Sequence, residues 1–458
     1  MRLPSIATVG ATLSLIGLLA APGKAEAVQV SRVADIYPGI RGSEVGIFSG
    51  FTVFDNALYF SAIDEVHPKM GLWKYDGTAA SLVTDPNISV SFNFTVFDDA
   101  LYFSGSDYFS ASEGLNNSEL WKYDGTTASL VADINPGSEG SFPRNLTVFN
   151  NALYFRAYDP VNGDELWKYD GTAASLVADI NPGSEGSYPG TYGGFTVFDD
   201  AFYFGADDGV HGDELWKYDG TAASLVADIN PGSRGSALGI FSGFTVFNNA
   251  LYFGADDGVN SLFGLWKYDG TSASLVEDSL RFVSDFTVFD DALYFSASGN
   301  SINYELWKYD GTAASLVADI NPGSGGSYPG DLTVFDDVIY FSAYDPVNGY
   351  ELWQYDGTAA SLVADILPGS GGSVPYDFTV FNNVLYFGAT GRETVTDFCY
   401  RGGCYVERDT ELWKLELDEP TSVPAPASVP EPASTLGLLA FGALGTGSML
   451  KRKLQKAN

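Results

Sequence analysis

Histidine and cysteine are scarce in this 458-residue chain, which contains two of each. The histidines are His67 and His211, both in turn-like segments, and the cysteines are Cys399 and Cys404. With only two histidines and two cysteines, the chain can form neither a His-rich zinc site nor a zinc site made of four cysteines. A Ser-His-Asp triad would have to use one of the two histidines. We therefore single out no catalytic residue.

Basic residues are also few, with 23 Lys and Arg against 58 Asp and Glu and a formal net charge of −35. Nucleic-acid binding needs a basic surface, so this charge argues against DNA or RNA as a partner. Glycine, tyrosine and phenylalanine are plentiful, at 52, 27 and 32 residues. A composition rich in turn-forming and aromatic residues favours an all-β fold.

The N-terminal segment has the features of a secretory signal peptide. Met1-Arg2 is followed by an apolar run from Ile6 to Ala21 and then by Ala25-Glu26-Ala27. A basic start, a short apolar run and an A-x-A site predict cleavage after Ala27. The alternative is an uncleaved anchor.

The C-terminal segment has three parts. Residues 419–429 are rich in Pro, Ser and Ala and predict an extended linker, residues 435–450 are apolar, and Lys451, Arg452, Lys453 and Lys456 form a basic tail. As a helix the apolar part would span about 24 Å, slightly less than a bilayer core of about 30 Å. We expect a transmembrane helix with its tail on the cytoplasmic side.

Pro430-Glu431-Pro432, followed by this apolar helix and basic tail, closely resembles the PEP-CTERM sorting signal over residues 430–458. The resemblance implies an exosortase as partner, which would remove the helix, and a Gram-negative-type bacterium that secretes exopolysaccharide. It implies export through the inner membrane to the cell surface, the outer membrane or the extracellular matrix. A plain single-span anchor is the alternative.

The middle of the chain consists of repeats. The eight tryptophans stand at one repeat position: Trp73, Trp121, Trp167, Trp216, Trp266, Trp307, Trp353 and Trp413. Each unit has four strand-like segments, as in FTVF (195–198), AFYFGA (201–206), ELWKY (214–218) and SLVADI (224–229). Asp219-Gly220 predicts a two-residue hairpin between the third and fourth segments. Four antiparallel strands per unit predict a β-propeller blade.

Eight FTVF-type segments and eight tryptophans predict eight blades over residues 28–418. The fourth strand is missing after Trp413, and a matching segment, VSRVADI, stands at residues 30–36. We expect this N-terminal strand to complete the last blade and close the ring, which removes exposed sheet edges. An open β-solenoid is the alternative.

The unit resembles the ELWxxDGT-repeat family of bacterial secreted proteins, through residues 214–221 (ELWKYDGT) and 225–233 (LVADINPGS). Gly71 and Gly264 replace the glutamate in two copies, and Gln354 replaces a lysine. The family has no assigned activity, so the resemblance carries none over to this chain.

The loops between the second and third strands and the long connectors between units should share one face of the propeller, and they vary most between copies. We expect this to be the binding face. Asp207, Asp208 and Asp213 could supply oxygen ligands to calcium there, although Asp is also an ordinary turn residue. The repeated Trp could stack on sugar rings, or pack between blades, which is the more common role.

Residues 390–410 differ most from the other loops. Cys399 and Cys404 predict a hairpin disulfide in an exported protein, with free or redox-active thiols as the alternative. Arg392 and Arg401 make this loop less acidic, and with Tyr400 they form a candidate binding loop.

These features predict a surface or matrix scaffold protein without enzymatic activity, which binds an extracellular polysaccharide or a surface protein. One alternative is a calcium-dependent adhesin. The other is an extracellular glycan hydrolase or lyase that uses paired carboxylates.

Overall fold

The computed structural model describes residues 15–16, 28–37, 42–47, 49–66, 69–84, 88–107, 117–137, 139–239, 243–259, 263–299, 303–400 and 403–417. Of residues 15–16, 91–93, 107, 392–400 and 403–408 it describes the backbone alone. The chain divides into two units after Asp418. The second unit, the predicted linker and sorting signal with Pro430, Glu431 and Pro432, lies outside the described residues, as do Ala25 and Ala27. Within the described ranges, no helix is long and apolar enough to cross a membrane.

The described residues form 33 strands, which build eight four-stranded antiparallel blades around an axis. The all-β, eight-bladed propeller predicted from the sequence is confirmed. The strands of blades 1 to 4, from first to fourth in each blade, are β3 (Thr52–Phe54), β4 (Ala57–Ala62), β5 (Gly71–Tyr75) and β6 (Ala80–Leu82); β7 (Ile88–Phe97), β8 (Ala100–Asp107), β9 (Glu119–Tyr123) and β10 (Ala128–Ala132); β11 (Arg144–Phe149), β12 (Ala152–Asp159), β13 (Gly163–Tyr169) and β14 (Ala174–Ala178); β15 (Thr196–Phe198), β16 (Ala201–Asp207), β17 (Asp213–Tyr218) and β18 (Ala223–Ala227).

Blades 5 to 8 follow the same order. Their strands are β19 (Phe244–Phe247), β20 (Ala250–Ala255), β21 (Gly264–Tyr268) and β22 (Ala273–Glu277); β23 (Arg281–Phe289), β24 (Ala292–Ser298), β25 (Tyr304–Tyr309) and β26 (Ala314–Ala318); β27 (Gly330–Phe335), β28 (Val338–Asp345), β29 (Gly349–Tyr355) and β30 (Ala360–Ala364); β31 (Tyr376–Phe381), β32 (Val384–Tyr400), β33 (Gly403–Leu417) and β2 (Val28–Ala34), with β1 (Leu15–Ile16) beside β2.

The ring is closed by the N-terminal strand, as predicted. β2 pairs antiparallel with β33, from Val28 opposite Leu417 to Ala34 opposite Leu412. The Glu411 carboxylate adds two bonds across this closure, since it accepts the N–H of Ile36 at 3.2 Å and the hydroxyl of Ser43 at 2.6 Å. The outer edge of β2 also pairs with β1, with Leu15 opposite Val30. The two ends of the propeller are therefore held in one sheet.

Two kinds of turn connect the strands within a blade. Between the first and second strands, both turn residues have positive φ, as at Asp199 (47°) and Asp200 (60°), a conformation that Asp and Asn tolerate better than other side chains. The Asp219-Gly220 turn is different from our prediction. Four residues separate Tyr218 from its partner Ala223, and the Asp219 side chain closes the loop by accepting the N–H of Thr221 at 2.8 Å. The carboxylate replaces part of the backbone pairing of a two-residue hairpin.

The first strand of each blade is innermost. Inner strands of neighbouring blades touch, as where the Thr95 hydroxyl donates to the Leu146 carbonyl at 2.8 Å. The valine of each TVF segment is 37–46% exposed, although it belongs to an inner strand. These residues therefore line the axis as a ring of eight: Val53, Val96, Val148, Val197, Val246, Val288, Val334 and Val380.

The hydrophobic core lies between blades. In the interface of blades 4 and 5, Leu215 of blade 4 packs with Phe253 of blade 5, both with no exposed surface, and Trp266 packs against the same cluster. Corresponding clusters place a tryptophan between each pair of neighbouring blades. The repeated tryptophan therefore serves inter-blade packing, which was the commoner of the two roles considered.

The chain also repeats with a period of four blades. Blades 1 and 5 both have glycine, Gly71 or Gly264, where the other six blades have glutamate. Blades 3 and 7 share the loop YDPVNG, at 158–163 and 344–349. Blades 1 and 5 are also each followed by a long first strand, β7 or β23. Since four is half of eight, the ring combines two similar halves.

Candidate functional site

One face of the ring carries the segments between blades and the loops between second and third strands. We call it the connector face. In six blades the glutamate of the third strand is buried and binds the connector that follows. These carboxylate clamps are Glu119, Glu165, Glu214, Glu305, Glu351 and Glu411.

Glu165 shows how a carboxylate clamp works. Its oxygens accept the N–H of Ile180 at 2.9 Å, the N–H of Ser187 at 2.9 Å and the Ser187 hydroxyl at 2.6 Å. Burial raises the pKa of Glu165 to about 6, and these donors act against the shift. Through these bonds Glu165 holds the connector against blade 3 at two points, Ile180 and Ser187.

The residue after the clamped serine has a left-handed backbone. Tyr188 has φ 51°, Phe142 49° and Tyr328 47°. Bulky residues rarely adopt this conformation, and each costs of order 1–3 kcal/mol unless the surroundings impose it. The carboxylate clamp supplies that constraint. Three of the six clamped connectors thereby hold an aromatic side chain at the connector face, whereas Glu44, Ala237 and Val374 have the same backbone conformation in the other three. Tyr188 is 48% exposed and Tyr328 45%.

Four aromatic rings on blades 5 and 6 and the connector to blade 7 form a continuous line, and of these only Tyr328 follows a clamped serine. Ring centroids are 5.9 Å apart between Phe263 and Phe282, 5.7 Å between Phe282 and Tyr304, and 4.9 Å between Tyr304 and Tyr328, which are stacked. Burial, with the nearby Tyr328 and Tyr344, raises the pKa of Tyr350 at the far end. We call Phe263, Phe282, Tyr304 and Tyr328 the aromatic row.

Blade 3 carries a cavity of about 360 Å³ on the connector face. Two arginines in it lie directly opposite each other on neighbouring strands, Arg144 on β11 and Arg156 on β12. The Arg156 Nε donates to Asp164 at 2.8 Å and its Nη1 donates to Thr191 at 2.7 Å. Its guanidinium lies 4.9 Å from the Tyr188 ring centroid. The remaining lining residues are Glu139, Gly140, Phe142 and Tyr158.

Arg156 breaks the repeat. Its position is serine or glycine in the other blades, namely Ser61, Ser104, Gly205, Gly254, Ser296, Ser342 and Gly388. A neighbouring side chain covers the site in some of those blades, as Asp213 does over Gly205. In blade 3, Arg156 occupies that space and reaches the connector. Sequence reasoning missed both arginines, although aligning the eight copies would have shown one arginine among seven small residues.

Near the axis, three aspartates from consecutive blades form an arc. Asp285, Asp331 and Asp377 stand at equivalent positions of blades 6, 7 and 8, with φ between 54° and 56°. The N–H of Asp331 donates to Asp285 at 3.2 Å, and the N–H of Asp377 donates to Asp331. Asn145 holds the same position in blade 3 with φ 57°. A left-handed position selects Gly, Asn or Asp, so these three carboxylates meet a backbone requirement.

The three aspartates of the arc have raised pKa values. Burial, and then the neighbouring Asp377 and Asp285, raise the pKa of Asp331 to about 7, and burial raises that of Asp377 to about 6. Asp331 nevertheless keeps surface that is exposed to solvent. Both neighbouring carboxylates disfavour the ionised form of Asp331, and they raise its pKa in the same direction as burial does.

The predicted calcium residues have other partners. Asp207 accepts the N–H of Gly209, and Asp208 accepts the N–H of Val210 and contacts His211 Nδ1 at 2.8 Å. The Asp213 carboxyl is largely buried, which with nearby Glu214 raises its pKa to about 7. Among the described residues, no group of three or more His, Cys, Asp or Glu could hold a metal ion. Calcium therefore stays a prediction that these loops do not support.

The candidate binding loop at 390–410 is mainly strand. β32 and β33 extend it as a long hairpin in which Arg392 lies opposite Asp409 and Cys399 opposite Cys404. Directly opposed residues have Cα atoms about 4.5–5.5 Å apart, within the range of a disulfide. The side chains of Arg392, Cys399, Tyr400 and Cys404, and all of Arg401, lie outside the described part of the chain, so the disulfide and the binding loop stay predictions.

Comparisons with known proteins assign no family to the chain. No family model and no curated protein matches the chain. Similar solved structures include a Mycobacterium tuberculosis puromycin-hydrolysing peptidase (11% identity, TM-score 0.47, 78% of this chain and 60% of that one) and the propeller domain of the trilobed protease of Pyrococcus furiosus (12%, 0.40, 69% and 98%). An oligogalacturonate lyase of Vibrio parahaemolyticus is another (12%, 0.45, 89% and 97%). The chain thus spans about 60% of the length of the puromycin-hydrolysing peptidase.

These neighbours correct one expectation from the sequence. We expected a protein without enzymatic activity, and that exclusion is wrong, because peptidases and a lyase are among the structures that the chain resembles. Identities of 8–13% transfer no reaction, substrate or site to this chain. The β-propeller architecture itself is shown by the strand pairing of this chain.

Proposed function

We propose that this chain is an exported propeller that binds an extracellular polysaccharide on its connector face. The signal-like N-terminus and the sorting motif at Pro430-Glu431-Pro432 support export, exosortase processing and a location at the cell surface or in the matrix. The residues that we propose for polysaccharide binding lie on the propeller.

The aromatic row is the observation that carries this proposal. Sugar rings bind proteins by placing their C–H faces on aromatic side chains, and a row of rings can follow a polymer from one sugar to the next. Phe263, Phe282, Tyr304 and Tyr328 extend over blades 5 and 6 and the connector to blade 7, with neighbouring centroids 4.9–5.9 Å apart. Tyr328 also keeps nearly half of its surface exposed.

The choice of aromatic side chains at these positions supports a binding role. Phe263, Phe282 and Tyr328 all have φ between 47° and 57°, a region that bulky side chains avoid. Glycine would fit the backbone without strain. Aromatic side chains at these positions are therefore not explained by backbone preference, whereas a stacking surface does explain them.

Binding of the intact chain to soluble polysaccharides, measured by affinity electrophoresis, tests the proposal. One panel would contain neutral dextran, polyglucuronate and exopolysaccharide from the producing cell. We expect retardation by at least one polymer and a loss of about tenfold, or about 1.4 kcal/mol, in Tyr328→Ala. Val210→Ala is the matched control, because Val210 is 65% exposed on a loop of blade 4 away from the row. No retardation by any polymer, or equal retardation of Tyr328→Ala, would overturn the proposal.

A further inference from the structure

We propose that the blade 3 cavity is a carboxylate-binding subsite, which takes the acidic sugar of a uronate-containing glycan through Arg144 and Arg156. This inference rests on the proposed function and names the class of glycan.

The first argument is the placement of like charges. Arg144 and Arg156 are directly opposed on adjacent strands, where two like charges destabilise a sheet. Burial and then the nearby Arg156 lower the pKa of Arg144, and Asp164 offsets only part of that shift. A carboxylate bound between the two guanidinium groups would reverse the sign of their interaction.

The second argument is the fixed orientation of Arg156. Asp164 holds its Nε, Thr191 holds its Nη1 and Tyr188 packs on its planar face. These contacts leave the Nη2 donors without a partner among the described residues. A guanidinium that is already oriented loses little conformational entropy when it binds, and its planar fork matches a carboxylate.

The third argument is shape. The cavity volume of about 360 Å³ lies within the range of small-molecule sites, about 300–1,000 Å³. Phe142 and Tyr158 add aromatic surface beside the charges, which suits a ligand with an apolar ring face and an anionic substituent. Of the two carboxylates that line the cavity, Asp164 is bonded to Arg156 and Glu139 is exposed to solvent.

The fourth argument comes from blade 7, which has the same YDPVNG loop. There Gly330 and Ser342 form the pair that Arg144 and Arg156 form in blade 3. Tyr350 replaces Asp164. The fold therefore does not require the arginines, and blade 7 shows which residues the same backbone accepts without them.

The test compares glucuronate with glucose, which differ in the carboxylate, by isothermal titration against the intact chain. We expect glucuronate to bind, glucose to show no heat of binding, and acetate to compete with glucuronate. Arg144→Gln leaves the Arg156–Asp164 pair in place and should weaken glucuronate at least tenfold. The double variant Arg144→Gly with Arg156→Ser, which copies blade 7, should abolish binding. Arg234→Ser is the control, since Arg234 is an exposed connector arginine of blade 4.

Equal affinity for glucose and glucuronate, or unchanged glucuronate binding in a folded Arg144→Gln chain, would overturn the subsite. Its failure is separable from that of the proposed function. If polysaccharide retardation persists in Arg144→Gln and disappears in Tyr328→Ala, the aromatic row binds glycan and the arginine subsite is wrong. If no polymer is retarded while glucuronate still binds, the subsite stands and the aromatic row is not a glycan platform.

Discussion

The backbone N–H of Asp331 donates a hydrogen bond of 3.2 Å to the carboxylate of Asp285, the residue at the same position in the preceding blade. Asp377 repeats the relationship one blade further on. Neighbouring carboxylates thus meet at the axis, where ionising one makes the others harder to ionise.

Replacing Asp331 with asparagine should make the protein less sensitive to alkaline pH. The folded-state pKa of about 7 lies above the unfolded value of about 4, so the contribution of Asp331 to stability is greatest below about pH 4 and is lost as the pH rises through 7. Relative to wild type, Asp331→Asn should therefore gain stability between about pH 4 and pH 8. Thermal unfolding midpoints across that range measure it.

Asparagine suits this backbone, since Asn145 holds the equivalent position of blade 3 with φ 57°. Asp336→Asn, which removes a charge from an exposed turn of the same blade, controls for net charge. If the unfolding midpoints of Asp331→Asn and wild type changed in parallel across this pH range, the prediction would be wrong.

Removing one carboxylate clamp should destabilise the ring substantially. Glu351 has no exposed surface and accepts the N–H groups of Ile366, Leu367 and Ser373 at 2.9, 3.1 and 2.9 Å and the Ser373 hydroxyl at 2.6 Å. Glu351→Ala would leave these donors unpaired, at a cost of about 2–4 kcal/mol. Denaturant unfolding at neutral pH measures the loss. Glu185→Ala, in an exposed connector position, should change it by less than about 0.5 kcal/mol.

Acid should destabilise the protein through the turns between third and fourth strands. Hydrogen bonds from the threonine side chain and from two backbone N–H groups lower the pKa of six aspartates to about 2: Asp76, Asp124, Asp170, Asp219, Asp269 and Asp310. A lowered pKa contributes stability above about pH 4, and that stability is lost as the pH falls through 2. The unfolding midpoint should drop over this interval. Replacing several of these aspartates with asparagine should flatten the drop, and an equally steep decline in that variant would exclude the turns as its source.

Deleting Val28–Ala34 should open the ring. The strand covers the outer edge of β33, and without it Trp413 and Leu415 lose their β2 partners and pair with β32 alone. We expect broader unfolding and binding of a hydrophobic dye, since the closing contacts are gone. A second variant keeps the strand but carries the blade 4 sequence ASLVADI in place of residues 30–36. This variant should unfold as sharply as wild type. A deleted chain that unfolds as sharply as wild type would show that closure does not depend on this strand.

The repeats made the fold predictable. Eight copies of FTVF and of the tryptophan strand indicated the blade count, and the missing fourth strand after Trp413 indicated closure by residues 30–36. The site was less predictable, because it depends on departures from the repeat. Arg156 is one residue among eight copies, and its opposition to Arg144 follows from a strand register that spacing alone does not reveal. The Asp219 turn was also misjudged, since its side-chain hydrogen bonds produce a longer loop than Asp-Gly suggests.

The four-blade period has a consequence for direction. Two similar half-rings joined in one circle would look alike after half a turn about the axis, so anything lying across the face could lie either way round. Arg144 and Arg156 in blade 3, with Gly330 and Ser342 in their place in blade 7, remove that equivalence. The two halves of the connector face therefore differ, and a long molecule bound across it would be held in one chain direction.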